Sequence, residues 1–175
     1  MADGQPLRVV TFGHQRDGEN TDIRATDIRA TDIELRTGRA NFELVTPAGR
    51  ESVTLQLLGE HQVANALAAA AIATALEIPL PAIAGALSGS LPGSKWRMEL
   101  NEVSGVVIVN DSYNANPESM GAALRTLVLL SQERGGQSWA ILGKMHELGA
   151  SSFERHQQVA TLVHELGVDH LVSVA

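Results

Sequence analysis

Between residues 7 and 58 apolar and polar positions alternate in short runs, "LRVVTF", "TDIELR", "ANFELVT" and "SVTLQLL", with Gly and Pro punctuation at "TPAGR". A two-residue period broken by turn residues predicts strands, here an antiparallel β patch. Inside it, "TDIRATDIRATDIEL" repeats the pentad TDIRA from Thr21 before resuming at Thr31. A period of five matches neither helix nor strand, and two copies cannot build a solenoid. The pentad reads as a duplicated segment that lengthens a loop, because loops tolerate insertion.

From Gly59 the period changes. "GEHQVANALAAAAIATALEIPL" places Val63, Leu67, Ala70 and Ala71 at helical spacing, which predicts a helix from His61 to Leu76 ended by Pro79. A second helix runs from Pro81 to about Leu87, with proline in the favoured first turn. "SGSLPGS" is small, turn-forming and the best linker. Beyond it "RMELNEV" and "GVVIVN" predict two strands around a turn at Ser104-Gly105. Then follow a helix from Pro117 to Ser131, a strand "SWAILG", a helix from Ser151 to Leu166 and a strand "VDHLVSV". Strands alternating with helices imply βαβ units and a mostly parallel sheet, so the fold class is α/β. The last strand reaches Ala175, which leaves a doubly wound domain unfinished.

Composition narrows the function classes. The 175 residues are 44% hydrophobic but only 3% aromatic, suited to cores of small aliphatic side chains. A net charge of −7 without a Lys/Arg cluster argues against a nucleic-acid or anionic-membrane surface. The absence of cysteine excludes a disulfide framework, a zinc ribbon and a thiol nucleophile, and is compatible with a reducing cytoplasm. "MADGQPLRVV" has neither a basic n-region nor an apolar h-region, and no run approaches about 18 apolar residues. The expectation is a chain that neither is secreted nor spans a membrane.

Candidate chemistry gathers at segment ends. Asp111 follows directly on the apolar run Val106 to Asn110, the place where a parallel sheet presents ligand-binding residues. Asn116 can cap the next helix, Pro117 fits its first turn and Glu118 complements its dipole. Capping explains "NPES" but not "DSYN". Asp111 has the chemistry to accept from ribose hydroxyls or to hold a hydrated Mg²⁺, with Asn114 as a further donor and acceptor; a plain turn carboxylate is the other reading.

Asn65 lies one helical turn after His61, where its amide matches the edge of an adenine ring or serves as a solvated helix residue. Arg97 in "KWRME" suits a phosphate through its bidentate fork, or is an ordinary surface arginine. "LGKMHELG" follows a strand as a Gly-bounded loop, either a crevice loop or a simple turn. "GSLPGSK" lacks P-loop spacing, "HELGA" and "HELGV" are not HExxH, and no Gly-x-Ser-x-Gly elbow occurs. The six histidines form no pair at metal-ligand spacing, and His156 and His164 are expected on a solvated helix face. No self-sufficient catalytic centre and no metal site are read from the sequence.

Taken together, "GEHQVANALAAAA", "SKWRMEL", "NDSYNANPESMGAAL" and "LGKMHELG" in this order resemble the Mur ligase family, from about Leu7 onward. Within it they resemble most the ligases that join D-Ala-D-Ala to UDP-MurNAc-tripeptide. The resemblance implies an ATP-dependent amide ligase of peptidoglycan synthesis that works through an acyl phosphate, with ATP and Mg²⁺ required, as a monomer in the cytoplasm. Residues 1–90 correspond to the later part of a P-loop ATPase-type central domain. Residues 91–175 correspond to a Rossmann-like C-terminal domain, incomplete at its end. Asn65 matches the family asparagine at adenine, Arg97 the arginine directed at ATP phosphate, and Asp111 the aspartate near ribose and phosphates; His61 belongs to the same helix motif.

Gln62 stands where the family usually has asparagine, and Lys144, where relatives carry an acidic or other polar residue, is given no role. The TDIRA pentad is not a family feature. In the family the GKT/GKS loop, the upstream Mg²⁺ ligands and a carbamylated lysine all precede the residues matched here. The expectation is therefore a fragment, truncated at both ends, that supplies part of an ATP site and does not turn over ATP alone. Two alternatives stand beside it: a non-catalytic nucleotide-binding or interaction module, and a folylpolyglutamate synthase-like ligase, which fits the fold but not "DSYNANP".

Overall fold

The computed structural model describes residues 9–14 and 27–174. The first TDIRA copy, the start of the "LRVVTF" run and Ala175 lie outside the described residues. Four strands, β1 (Phe12–His14), β2 (Ile28–Arg36), β3 (Arg39–Thr46) and β4 (Gly49–Leu58), form one sheet in the order β1-β2-β3-β4. The β2–β3 connection is the two-residue turn Thr37-Gly38, both left-handed at φ 49° and 70°, which is the primed geometry that matches strand twist. The expected antiparallel patch needs one correction, because β1 pairs with β2 in parallel, Phe12 opposite Ile28. A second correction concerns the pentad. Ile28, Arg29 and Ala30 of its second copy are strand, with Ile28 and Ala30 buried at period two, so tertiary burial takes these residues out of any loop.

Helix α1 (His61–Ala75) buries Val63, Ala66, Leu67, Ala70 and Ala71 on one face. Its end is set by Glu77 in the left-handed region (φ 61°), whose N–H donates to Thr74, two residues before Pro79. Helix α2 (Leu80–Gly89) has Pro81 in its first turn, and Ser88 Oγ accepts the Thr54 N–H of β4 at 3.2 Å.

Beyond the linker, β5 (Glu99–Val103) and β6 (Val106–Asn110) pair antiparallel around Ser104-Gly105, at φ 52° and 82°. Helix α3 (Pro117–Arg134) starts at an Asn116 capping box, with Ser119 N–H donating to Asn116 Oδ1 at 2.8 Å and Asn116 N–H donating to Ser119 Oγ at 3.1 Å. It ends on Gly135 in the left-handed region. Strand β7 (Trp139–Leu142), a 3-10 turn Gly149–Ser151, α4 (Ser152–Glu165) and β8 (His170–Ser173) form a parallel βαβ unit. Ser138 fastens its start, donating N–H and Oγ–H to Asp169 Oδ2 at 2.8 and 2.9 Å. Met120, Leu124, Ala140, Met145, Val159 and Val163 form the core between these helices and strands.

The expected mostly parallel sheet is only partly present. Among the described residues β6 pairs with β5 alone, antiparallel, while β7 and β8 form a separate two-stranded parallel sheet. The chain divides into two compact units. Of the described residues, one comprises 9–14, 27–34, 41–55 and 62–90; the other comprises 35–40, 56–61 and 91–174. No helix among the described residues is long and apolar enough to cross a membrane.

Candidate functional site

Asp111 lies one residue past β6, at the mouth of an antiparallel ribbon rather than at the edge of a parallel sheet. What holds it is local. Asn110 Oδ1 accepts the N–H and the hydroxyl of Ser112 at 3.2 and 2.8 Å, an Asx turn that bends the chain out of the strand. Asp111 Oδ1 accepts the Met98 N–H at 3.0 Å, and the Tyr113 N–H donates to the Trp96 carbonyl at 3.1 Å. Residues 96–98 and 111–113 are thus fastened to each other at both ends.

Arg97 sits in the middle of that fastening. Trp96 and Met98 on either side are left-handed at φ 62° and 47°, a conformation that costs a non-glycine residue about 1 kcal/mol or more and persists only where surroundings enforce it. The enforcing contacts are the two hydrogen bonds above and the burial of Met98, 7% exposed. Arg97 is exposed, and its guanidinium lies over the Tyr113 ring, 4.2 Å from the centroid.

Burial pushes the half-buried Asp111 carboxyl above its ordinary value. The Met98 N–H, then His61 and then Arg97 pull the other way without cancelling it. His61, at the start of α1, is held below its ordinary value by burial, opposed by Asp111 and Glu60. Gly59, at φ 100°, makes room for this imidazole: a β-carbon there would stand 2.5 Å from His61 Cε1 and 3.3 Å from Thr126 Oγ1. Arg97, Asp111 and His61 all belong to the second unit and interact electrostatically through Asp111.

The other sequence candidates make local hydrogen bonds. Asn65 belongs to the first unit, exposed on α1, where its Nδ2 donates to Gln62 Oε1 at 3.0 Å. Asn114 is exposed ahead of α3, and its Oδ1 accepts the Ala115 N–H at 2.8 Å. Among the described residues no three His, Asp or Glu side chains stand close enough to hold a metal ion.

The "LGKMHELG" loop follows β7, with Glu147 and Gly149 left-handed. Its anchor was not legible from composition. The N–H of Met145, 1% exposed, donates to His156 Nε2 at 3.0 Å, and His156 Nδ1 lies 2.7 Å from the Ser152 carbonyl. Those partners assign the proton to Nδ1. His156 is therefore half-buried and pins the loop, which corrects the expected solvated-face reading, while His164 is exposed. Tyr113 and Met98 were also missed. Tyr113 had a signal, since it is the chain's one tyrosine and sits in the part of "DSYN" that capping leaves unexplained.

Two segments of the chain match known protein domains. Residues 1–73 match the Mur ligase middle domain, and residues 96–175 match the Mur ligase, glutamate ligase domain. The UDP-N-acetylmuramoyl-tripeptide–D-alanyl-D-alanine ligase of Mycobacterium tuberculosis is 38% identical over 139 residues, 78% of this chain and 27% of that protein. A crystal structure of MurF from Acinetobacter baumannii superposes with a TM-score of 0.81 at 37% identity, over 94% of this chain and 33% of that one. MurF ligase from Thermotoga maritima in complex with ADP gives a TM-score of 0.70 at 24% identity, over 84% of this chain and 33% of that one, a likeness of fold. The chain spans about a third or less of the length of these relatives. With both matched segments drawn from the same group of enzymes, the chain belongs to the Mur ligase family.

Proposed function

We propose that this chain is part of an ATP-dependent amide ligase of peptidoglycan precursor synthesis, joining D-Ala-D-Ala to UDP-MurNAc-tripeptide. The name of the Mycobacterium tuberculosis relative and the ADP held by the Thermotoga maritima structure support the reading. On this chain, the observation that carries it is the fixed guanidinium of Arg97 set beside the half-buried carboxylate of Asp111. We assign residues 1–90 to the later part of the central ATPase domain and 91–175 to the C-terminal domain; the last segment of the first unit ends at Ser90, while residues 35–40 and 56–61 cluster with the second unit.

In the proposed reaction an oxygen of the tripeptide's terminal carboxylate attacks the γ-phosphorus of ATP and ADP departs. The dipeptide amine then attacks the acyl carbon of the resulting acyl phosphate, loses its proton and displaces inorganic phosphate. Such chemistry depends on positioning and on neutralising phosphate charge. Arg97 supplies an always-charged, bidentate donor for phosphate oxygens. Asp111 would accept from ribose hydroxyls or help to hold a hydrated Mg²⁺, which when bound would offset the charge of the phosphates. His61 and Asn114, which belong to the same unit, are further candidate contacts. No GKT or GKS loop occurs in these residues, so they contribute part of the nucleotide site and are inactive alone. The compartment this reading implies is the cytoplasm, and the working form a monomer.

Phosphate release by the full-length protein, measured with ATP and a UDP-MurNAc-tripeptide, is expected to rise on addition of D-Ala-D-Ala. No response to the dipeptide would sink the assignment.

A further inference from the structure

We propose that Tyr113 is a positioning residue for Arg97, a platform that holds the guanidinium in a phosphate-facing pose before nucleotide arrives; this rests on the ATP-site reading given above. Three observations meet at this residue. The Arg97 guanidinium lies 4.2 Å from the Tyr113 ring centroid, so the positive charge covers the ring's negative face. The Tyr113 N–H holds the Trp96 carbonyl at 3.1 Å, so the residue that supplies the ring also fastens the backbone beside the arginine. Trp96 and Met98 are both left-handed, so the backbone that presents Arg97 is strained and needs such fastening.

Tyr113 is itself 56% exposed and lies outside the hydrophobic core of its unit. An exposed arginine ordinarily samples many rotamers and loses that freedom on binding an anion. A ring under the guanidinium removes part of the cost in advance, which is preorganisation of a ligand contact. The hydroxyl has no part in this, so a phenyl ring serves as well as a phenol.

The test is a double-mutant cycle in the full-length protein, read as ADP affinity by calorimetry and as KM for ATP and kcat in the ligase assay. Tyr113→Leu is expected to weaken ADP binding by about 3-fold and to raise KM for ATP with little change in kcat, the scale of an exposed cation–π contact. Tyr113→Phe is expected to restore wild-type affinity. In an Arg97→Ala background, Tyr113→Leu is expected to add nothing.

Equal losses from Tyr113→Leu with and without Arg97 would overturn the proposal, because the ring would then act on its own. So would wild-type affinity in Tyr113→Leu, or a Tyr113→Phe variant as weak as Tyr113→Leu. If Arg97→Ala itself binds ADP as wild type does, the ATP-site reading falls and takes the positioning role with it. A loss in Arg97→Ala without one in Tyr113→Leu removes the positioning role alone.

Discussion

The backbone N–H of Met98 donates to Oδ1 of Asp111 at 3.0 Å, so one carboxylate both fastens a strained turn and stands as a candidate ligand group. The two roles separate by substitution. Asp111→Asn keeps an acceptor for Met98 and removes the charge; it is expected to fold with a melting temperature equal to or above wild type and to lose about 10-fold in nucleotide affinity, roughly 1.4 kcal/mol. Asp111→Ala also strands the Met98 amide and is expected to cost a further ~1–2 kcal/mol of stability. Equal stabilities for the two variants would show that the bond to Met98 contributes nothing.

Acid and base act on this cluster with opposite signs. His61 has a folded value below 6.5, so the unfolded chain binds its proton more readily; its contribution is fully present above 6.5 and lost as pH falls through the folded value. Asp111 has a folded value above 3.8, so its contribution is greatest below 3.8 and is lost as pH rises through the folded value. Urea midpoints from about pH 4 to 8 are expected to show His61→Gln less sensitive than wild type to acidification, and Asp111→Asn less sensitive to the rise from acid pH. Parallel profiles for both variants and wild type would contradict the burial argument.

Gly59→Ala meets both a left-handed φ of 100° and the His61 ring 2.5 Å away. The expected cost is about 1–3 kcal/mol, with displacement of the imidazole beside Asp111. Gly136→Ala is the control, since open space surrounds that position and its φ is not left-handed; it is expected to change stability by less than about 1 kcal/mol. Thermal melting of the pair decides the matter, and equal effects would argue against a steric role for Gly59.

His156→Leu leaves the Met145 N–H without its acceptor in a nearly fully buried position. About 1–3 kcal/mol of stability is expected to go, together with faster hydrogen exchange at Met145. Unaltered protection of that amide would mean that another group takes over the bond.

Asn116→Ala removes the side-chain half of the α3 capping box and is expected to cost ~1 kcal/mol, with Asn116→Asp recovering most of it. Recovery by Asp and not by Ala, seen in melting temperature, identifies the oxygen acceptor as the active element.

What the sequence disclosed was mostly local. Asn116-Pro117, the Ser104-Gly105 turn and the alanine spacing of α1 each act within a few residues, and each element lies where the pattern puts it. The parallel β1–β2 pair and the bond from His156 to Met145 join residues more than a few positions apart, which no short-range period encodes. At the site, Asp111 stood out by its position after a strand, but Met98 did not. A left-handed methionine has no sequence signature, because its conformation is imposed by Asp111 and by burial rather than by its own side chain. The second TDIRA copy was legible in part: Ile28 and Ala30 alternate at period two, a signal overshadowed by the repeat of five.

The chain holds two tryptophans, and both fall in the second unit. Trp139 stacks on His170 across the β7–β8 pair at 3.9 Å, while Trp96 adjoins Arg97 with half its surface open to solvent. They amount to two native fluorophores with separate duties. With Trp139→Phe the remaining emission comes from the turn that presents Arg97, and with Trp96→Phe it comes from the register of the parallel strands, so ligand arrival and strand pairing can be followed in one protein without an added dye.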